Sequence, residues 1–596
     1  MAPYSPPLRE IRFVLEHVCD YGALTKLEGF GHADLDTAMA VLEEWGRFAT
    51  DILEPINAVG DRQHSKVVDG SVVTPDGFKD AYAQYVAAGW GAVPFEPGYG
   101  GGGFPWTVAI AQQEMFNSCN TAFALCPLLT QGAIDAFEVW GDEIQRQTYL
   151  SKMISGEWTG TMNLTEPDAG SDVGALRTKA VPADDVPGAW RISGTKIFIT
   201  YGDHDMAENI VHLVLARTLG SPPGTKGISL FVVPKRLVND DGSLGARNAA
   251  NVVSIEHKMG ICGSPTCVME YDGALGWLLG PEHAGMKAMF TMMNNARLSV
   301  GVEGLGLAEA AYQRAAAYAK ERKQGRSPGA SGPGPAAIVE HPDVRRTLLT
   351  MRSQIEALRA LAYVEAEHVD LARHHPDEGV RAAAREVVDL YTPLVKAWGT
   401  DLGCELTSHA IQVHGGVGYI EETGIAQFFR DARITPIYEG TNGIQALDLV
   451  FRKISLRGGA VLAETLRRVD ATAADLAGTG DVGLISMGKR LTAAVATVED
   501  AVTYLGAADQ VDAMSGATPF LRMLATTVGG WMAARGALAA HRLLVRGASG
   551  EERTFYETKI VTARFFAEHV LPQTHGLLPT VTAGKDLLME LPAASF

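Results

Sequence analysis

Glu439 stands in the run Ile437-Tyr438-Glu439-Gly440-Thr441-Asn442, between a bulky aromatic and a glycine. A carboxylate with such neighbours is either a solvated loop residue or a partly desolvated general base with a raised pKa, and the run alone leaves both open. A second segment, Met162-Asn163-Leu164-Thr165-Glu166-Pro167-Asp168-Ala169-Gly170-Ser171-Asp172, joins a strand to a turn of small residues. Its N–H groups and hydroxyls suit a phosphate or the edge of a ring, and equally a capped turn in which Ser and Asp satisfy nearby amides. Lys196-Ile197-Phe198-Ile199-Thr200 closes a strand with an aromatic able to cover a ring system and a hydroxyl able to donate to it. Gln412-Val413-His414-Gly415-Gly416-Val417-Gly418-Tyr419 ends a helix in glycines, which allow close backbone approach.

Two further patterns carry less. Gly98, Gly100 and Gly103 satisfy G-x-G-x-x-G, but they sit in a glycine run between Pro97 and Pro105 with no strand and helix unit around them, so a plain loop is expected. Cys262 and Cys267 flank a Gly-Ser-Pro-Thr turn; with no second pair or His cluster they read as ordinary turn and strand residues.

The elements that must position these residues fall into four parts: 1–157, 158–282, 283–455 and 456–596. The first is helical, as at 35–52 and 78–88, with Gly and Pro turns between. The second holds short β-branched and aromatic runs at 196–201, 210–216 and 228–233, bounded by turn residues, and reads as a compact all-β insert. Helix returns at Gly285, with Leu298, Val302, Leu305 and Tyr312 at helical intervals, and a Gly/Pro/Ser loop at 325–335 ends it. Val344, Leu348, Met351, Ile355 and Leu358 form a stripe suited to bundle packing. A further helix is expected from about Pro393 to Val413, and the last part is helical, with Leu491, Val495, Val498 and Val502 on one face.

A chain of 596 residues exceeds the reach of one hydrophobic core, so several packed units are expected. The net charge of −18 opposes polyanion binding over the surface as a whole. The strongest apolar stretch, after Leu524, is broken by Arg535, His541 and Arg542, so no membrane-spanning run is expected. The N-terminus lacks a basic and then apolar leader, which makes the cytoplasm the expected compartment.

With the four segments in this order and spacing, residues 35–455 resemble the acyl-CoA dehydrogenase family. The resemblance implies an α+β, mostly helical fold: an N-terminal helical domain, a central β-barrel and a C-terminal four-helix bundle, with FAD between barrel and bundle. The segment after residue 455 adds an extra C-terminal helical domain. It implies that Glu439 takes the α-proton of an acyl thioester while the β-hydride passes to flavin N5, with the Glu439 N–H and a ribityl hydroxyl stabilising the enolate-like oxygen. The alternative base position of some branched-chain members falls on Ala296, which cannot serve. Thr165 and Thr200 match residues bonded to the flavin ring, and Met162, Leu164 and Ser171 belong to the same cofactor set. Phe198 stands where many members have Trp. Arg322, Lys323, Gln324, Gln412, Gly415 and Gly416 match groups that hold the FAD pyrophosphate and adenine across a subunit interface, which implies a homo-oligomer. Thr441 and Asn442 match further FAD contacts, while Gly443 replaces a common Gln. Ser171, Asn294, Arg297 and Gly440 match acyl-CoA contacts, Asn294 standing where Asp is frequent.

The N-terminal segment 7–15 and the C-terminal extension resemble a subgroup of long bacterial enzymes acting on 3-methylthiopropionyl-CoA or a broad range of fatty acyl-CoA esters. Their extra helices are expected to cover the face by which shorter relatives form tetramers, leaving a dimer. The implied electron acceptor is electron-transfer flavoprotein. An acyl-CoA oxidase shares the same site, and a non-catalytic nucleic-acid-binding relative uses the same fold. The latter calls for a basic C-terminal region, whereas here Arg522, Arg535, Arg542 and Arg546 mix with Asp500, Asp509, Asp512, Glu551 and Glu552.

Overall fold

The β-branched runs after Trp158 close into a barrel in the computed structural model, which describes residues 3–327 and 334–596. The strands are β1 (Trp158–Asn163), β2 (Lys179–Pro182), β3 (Trp190–Thr200), β4 (Asn209–Thr218), β5 (Ile228–Pro234), β6 (Ala250–Ile255) and β7 (Thr266–Leu278). Pairing runs β6-β7-β3-β2-β4-β1, and β5 bridges β7 and β4, so β7, β3, β2, β4 and β5 form a closed ring. Closure removes the edges that a sheet of such apolar strands would otherwise expose. The β1–β4 and β2–β4 pairs are parallel, with Met162 opposite Leu213 and Lys179 opposite Arg217; the rest are antiparallel. Ile192, Ile199, Val214, Phe231, Met269 and Tyr271 fill the barrel core.

The remaining main elements are helical: α1 (Leu8–His17), α2 (Trp106–Trp140), α3 (Glu143–Ser155), α4 (Gly285–Glu321), α5 (Pro342–His374), α6 (Glu378–His414), α7 (Asn442–Asp448), α8 (Ala460–Ala477), α9 (Val482–Ala507), α10 (Gln510–Val545) and α11 (Gly550–Phe565). Two compact units emerge. One takes residues 44–104 and 119–299, including the barrel; the other takes residues 1–43, 105–118 and 300–596, so the bundle helices and the C-terminal helices share one unit.

In this second unit α5 and α6 pack as a pair, and α10 packs against α5, α6, α7, α8, α9 and α11. From Leu521 to Trp531 α10 is buried at nearly every position, as expected of a helix apolar on all sides and enclosed by others. The N-terminal α1 is tied in by a buried ion network: Lys559 of α11 donates to Glu10 at 2.8 Å and to Glu356 of α5 at 2.7 Å, and Arg352 bonds Glu356 at 2.7 Å.

Three expectations need correction. α6 begins at Glu378, not near Pro393, because Asp377 caps it by accepting from Gly379 N and Val380 N; Pro393 lies inside the helix. The N-terminal part is not purely helical, since Lys66–Val68 and Ser71–Val73 pair as a short hairpin. Among the described residues the one helix long and apolar enough to cross a membrane is α2, not the stretch after Leu524, and 89% of its most apolar window is buried. The glycine run at 98–103 begins inside a single 3-10 turn, Pro97–Tyr99, and precedes α2 without a strand. Part of the loop at 325–335 lies outside the described residues.

Candidate active site

Glu439 sits on a pedestal built by α6 and α7. The chain turns after Ala432, with Tyr438 N donating to Ile434 O at 3.2 Å and Asn442 N to Pro436 O at 3.0 Å. Glu439 has φ of +54° and Gly440 +84°, two successive left-handed residues that reverse the chain before Thr441 caps α7 by accepting from Ile444 N at 3.2 Å. Glycine adopts that conformation freely; for glutamate it costs about 1–3 kcal/mol and persists where the surroundings over-determine it. They do so here. Lys396 of α6, fully buried, donates to Thr435 O and to Asn442 Oδ1, both at 3.0 Å. The Asn442 amide donates to Asp401 Oδ1 at 2.7 Å, with Thr400 Oγ1 and Ala397 O also in reach. Asn442 therefore spends its side chain on α6, whereas Thr441 Oγ1 serves the cap of α7.

Glu439 itself is half-buried. Its neighbour Tyr438 turns inward and donates its hydroxyl to Glu303 Oε2 on α4. Glu303 is wholly buried, and its Oε1 has no hydrogen-bond partner among the described residues. Burial pushes the Glu303 carboxyl up to about 8; the Tyr438 hydrogen bond opposes this, the Glu439 charge adds to it and the Lys396 ammonium opposes it. The approach of α4 to α6 rests on glycines: a Cβ on Gly304 would lie 2.1 Å from Gly399 O, and one on Gly403 would lie 2.8 Å from Gly304 Cα.

The barrel holds the other predicted group. Ile197 N donates to Thr165 O at 2.9 Å, which ties the end of β3 to the turn after β1. Lys196, fully buried, donates to Glu166 Oε1 at 2.8 Å and to Leu164 O at 2.9 Å. Glu166 also accepts from Arg177 N at 2.6 Å and Thr178 N at 3.0 Å. Burial brings Lys196 down to about 8 against the pull of Glu166, which still leaves it an ammonium at neutral pH. These bonds set Thr165, Phe198 and Thr200 in fixed relation. Phe198 has φ of +59° and is 59% exposed, beside the buried Ile199. Thr200 lends its carbonyl to Thr161 Oγ1 at 2.7 Å and Met162 is buried in β1, while Leu164 and Thr165 are half-buried and Ser171 lies on the exposed turn.

Of the remaining predicted residues, Arg297 is buried and donates to Asn294 Oδ1 at 3.4 Å, within the barrel-containing unit. In the other unit Arg322 and Gln324 are exposed and bonded to each other at 3.4 Å. Gln412, Gly415 and Gly416 are exposed at the end of α6; Gly415 has φ of +64°, and a Cβ on either glycine would meet open space. Sequence reasoning missed Glu303, Lys396 and the Glu166–Lys196 pair. For Glu303 and Lys396 the signal was a lone charge in an otherwise apolar helical stretch, as at Val302-Glu303-Gly304 and Val395-Lys396-Ala397.

Family models match in series: the acyl-CoA dehydrogenase N-terminal domain over residues 36–157, the middle domain over 161–274 and the C-terminal domain over 283–453. An acetyl-CoA dehydrogenase C-terminal-like model matches residues 465–592. The 3-methylmercaptopropionyl-CoA dehydrogenase of Ruegeria pomeroyi is 44% identical over 98% of this chain and 99% of its own. The chain belongs to the acyl-CoA dehydrogenase family. As an acyl-CoA dehydrogenase it is an oxidoreductase, and it falls in the long subgroup: the broad-specificity linear acyl-CoA dehydrogenase FadE5 of Mycobacterium tuberculosis is 37% identical over the whole of both chains. The fold is shared with Caenorhabditis elegans ACDH-11, solved with C11-CoA, at a TM-score of 0.79 and 19% identity over 100% of this chain and 97% of that one. It is shared too with an FAD-complexed acyl-CoA dehydrogenase from Bacillus anthracis, at 0.73 and 20% over 94% and 90%.

Proposed function

We propose that this acyl-CoA dehydrogenase introduces a double bond between Cα and Cβ of an acyl-CoA thioester, with Glu439 as the base. The observation that carries the reading is the Glu439 turn: a half-buried carboxylate in a left-handed conformation, pinned from α6 by Lys396 and Asn442. The Glu439 carboxylate takes the α-proton, and the electron pair of that C–H bond becomes the new π bond as the β-hydrogen leaves with its own pair. FAD, when bound, supplies the hydride acceptor.

The chain's residues fit such a cofactor. Phe198 offers an exposed ring, Thr165 and Thr200 offer hydroxyls, and Gly415 and Gly416 leave room that a Cβ would fill. Met162, Leu164 and Ser171 complete the set assigned to the ring; Arg322, Gln324, Gln412, Gly415 and Gly416 take the pyrophosphate and adenine, and Thr441 makes a further contact. Asn442 serves instead as the pedestal of the base. Asn294, Arg297, Ser171 and Gly440 are the residues assigned to the acyl-CoA.

Among substrates, 3-methylthiopropionyl-CoA is the first to assay, because the relative of that activity covers the whole chain at 44% identity. The electron acceptor is electron-transfer flavoprotein and the assembly a dimer; the apolar surface left by Val417, Tyr419 and Ile420 beside Gly415 and Gly416 supports a second subunit there. Dye reduction without peroxide under acyl-CoA, and a light-scattering mass of two chains, test these two points. Replacing Glu439 by Gln removes the base and keeps the shape. The E439Q protein is expected to stay yellow yet reduce its flavin about 10²–10⁴-fold more slowly in stopped flow. Near-native reduction would defeat the assignment.

A further inference from the structure

Two carboxyl groups flank one tyrosine, and they differ in burial. Glu439 is half-buried; Glu303 is wholly buried, accepts from the Tyr438 hydroxyl through Oε2 and leaves Oε1 enclosed without a partner among the described residues. We propose that Glu303 is a positioning residue for the base: it holds a proton beneath the Tyr438-Glu439 turn, so that the two carboxyls share a single negative charge and that charge resides on Glu439. This rests on the reading of Glu439 as the base. Of two interacting carboxyls, the more deeply buried is the cheaper one to leave neutral.

The charged and titratable groups around Glu303 are consistent with this. Tyr438 and Glu439 face it from the turn and Lys396 from α6; Asp431, on the helix before the turn, acts on Tyr438. Lys396 is engaged by Thr435 O and Asn442 Oδ1, so its ammonium is directed to the pedestal. Burial and the Glu439 charge hold the Glu303 proton up to about pH 8. When Glu439 takes the substrate proton its charge is gone, and Glu303 then ionises more readily; by reciprocity, an ionised Glu303 makes Glu439 a stronger base.

The test uses holoenzyme and two readouts. In stopped flow with butyryl-CoA as probe, the flavin-reduction rates of wild type and E303Q should agree near pH 6–7. Above pH 8 wild type should pull ahead by about two- to threefold, the part of half to one pKa unit of coupling that a half-transferred proton feels. Superimposable profiles overturn the proposal. In infrared pH titration without substrate, wild type minus E303Q should show the carbonyl stretch of a protonated carboxyl at pH 7 that fades as pH rises. Its absence at pH 7 overturns the proposal whether or not Glu439 is the base, whereas normal reduction by E439Q with that band present would sink the base assignment alone.

Discussion

Lys196 shows how a residue remote from chemistry can set a site. Its ammonium, wholly buried, is neutralised by Glu166 and bonded to Leu164 O, so the strand that carries Phe198 and Thr200 is locked to the turn that carries Thr165. Replacing it by Met leaves the Glu166 carboxylate buried without its counter-ion. K196M is expected to cost about 3–5 kcal/mol in denaturant unfolding and to weaken FAD retention on gel filtration, while K196R retains both better. Unchanged stability would show the pair to be incidental. The alternation of Lys196 and Phe198 was legible in the sequence as strand; the ion pair was not, because it joins residues thirty apart that meet only when β1 and β3 lie in the barrel.

At the scale of elements, the helix crossing between α4 and α6 decides where Glu303 and Lys396 lie. Gly301 and Gly304 of α4 meet Val395, Gly399 and Gly403 of α6 at backbone contact, so the side chains either side of the glycines approach the turn at 435–442 from two helices. G304A would place its Cβ 2.1 Å from Gly399 O. The helices must part, at a cost of about 1–3 kcal/mol, and the Glu439 pedestal moves with them. The expected result is a lower melting temperature together with slower flavin reduction, and a variant that melts and reduces like wild type would contradict it. The 3.6-residue apolar period announced both helices, yet the α6 start was displaced to Pro393, because a proline pre-set for a first turn imitates a boundary that Asp377 supplies.

Over the whole molecule, burial lifts several acids above the usual carboxylate range. In α5 burial raises Glu365 to about 8, against the Thr392 hydrogen bond, and Glu367 to about 7, against the Asp20 N–H; it raises Asp370 to about 6, although Asp370 accepts from Thr107 and Trp106. A carboxyl whose folded pKa lies above its unfolded value favours the folded state fully below about pH 4, and that contribution is lost as pH climbs toward the folded value. The slope is up to about 1.4 kcal/mol per pH unit for each group. Melting temperature should therefore fall between pH 5 and 8. E365Q, which cannot ionise, should flatten that decline, and an identical decline in wild type and variant would refute the attribution to Glu365.

The sequence alone determined the family, the run of domain types and the carboxylate in its aromatic-glycine setting, because local period, turn chemistry and motif spacing are written in consecutive residues. It did not determine which charges are paired. Glu303 under Tyr438, Lys396 under Asn442 and Lys196 on Glu166 each join residues far apart in the chain. Their protonation follows from how much water the fold removes around them, a quantity that exists only once the helices and strands have packed.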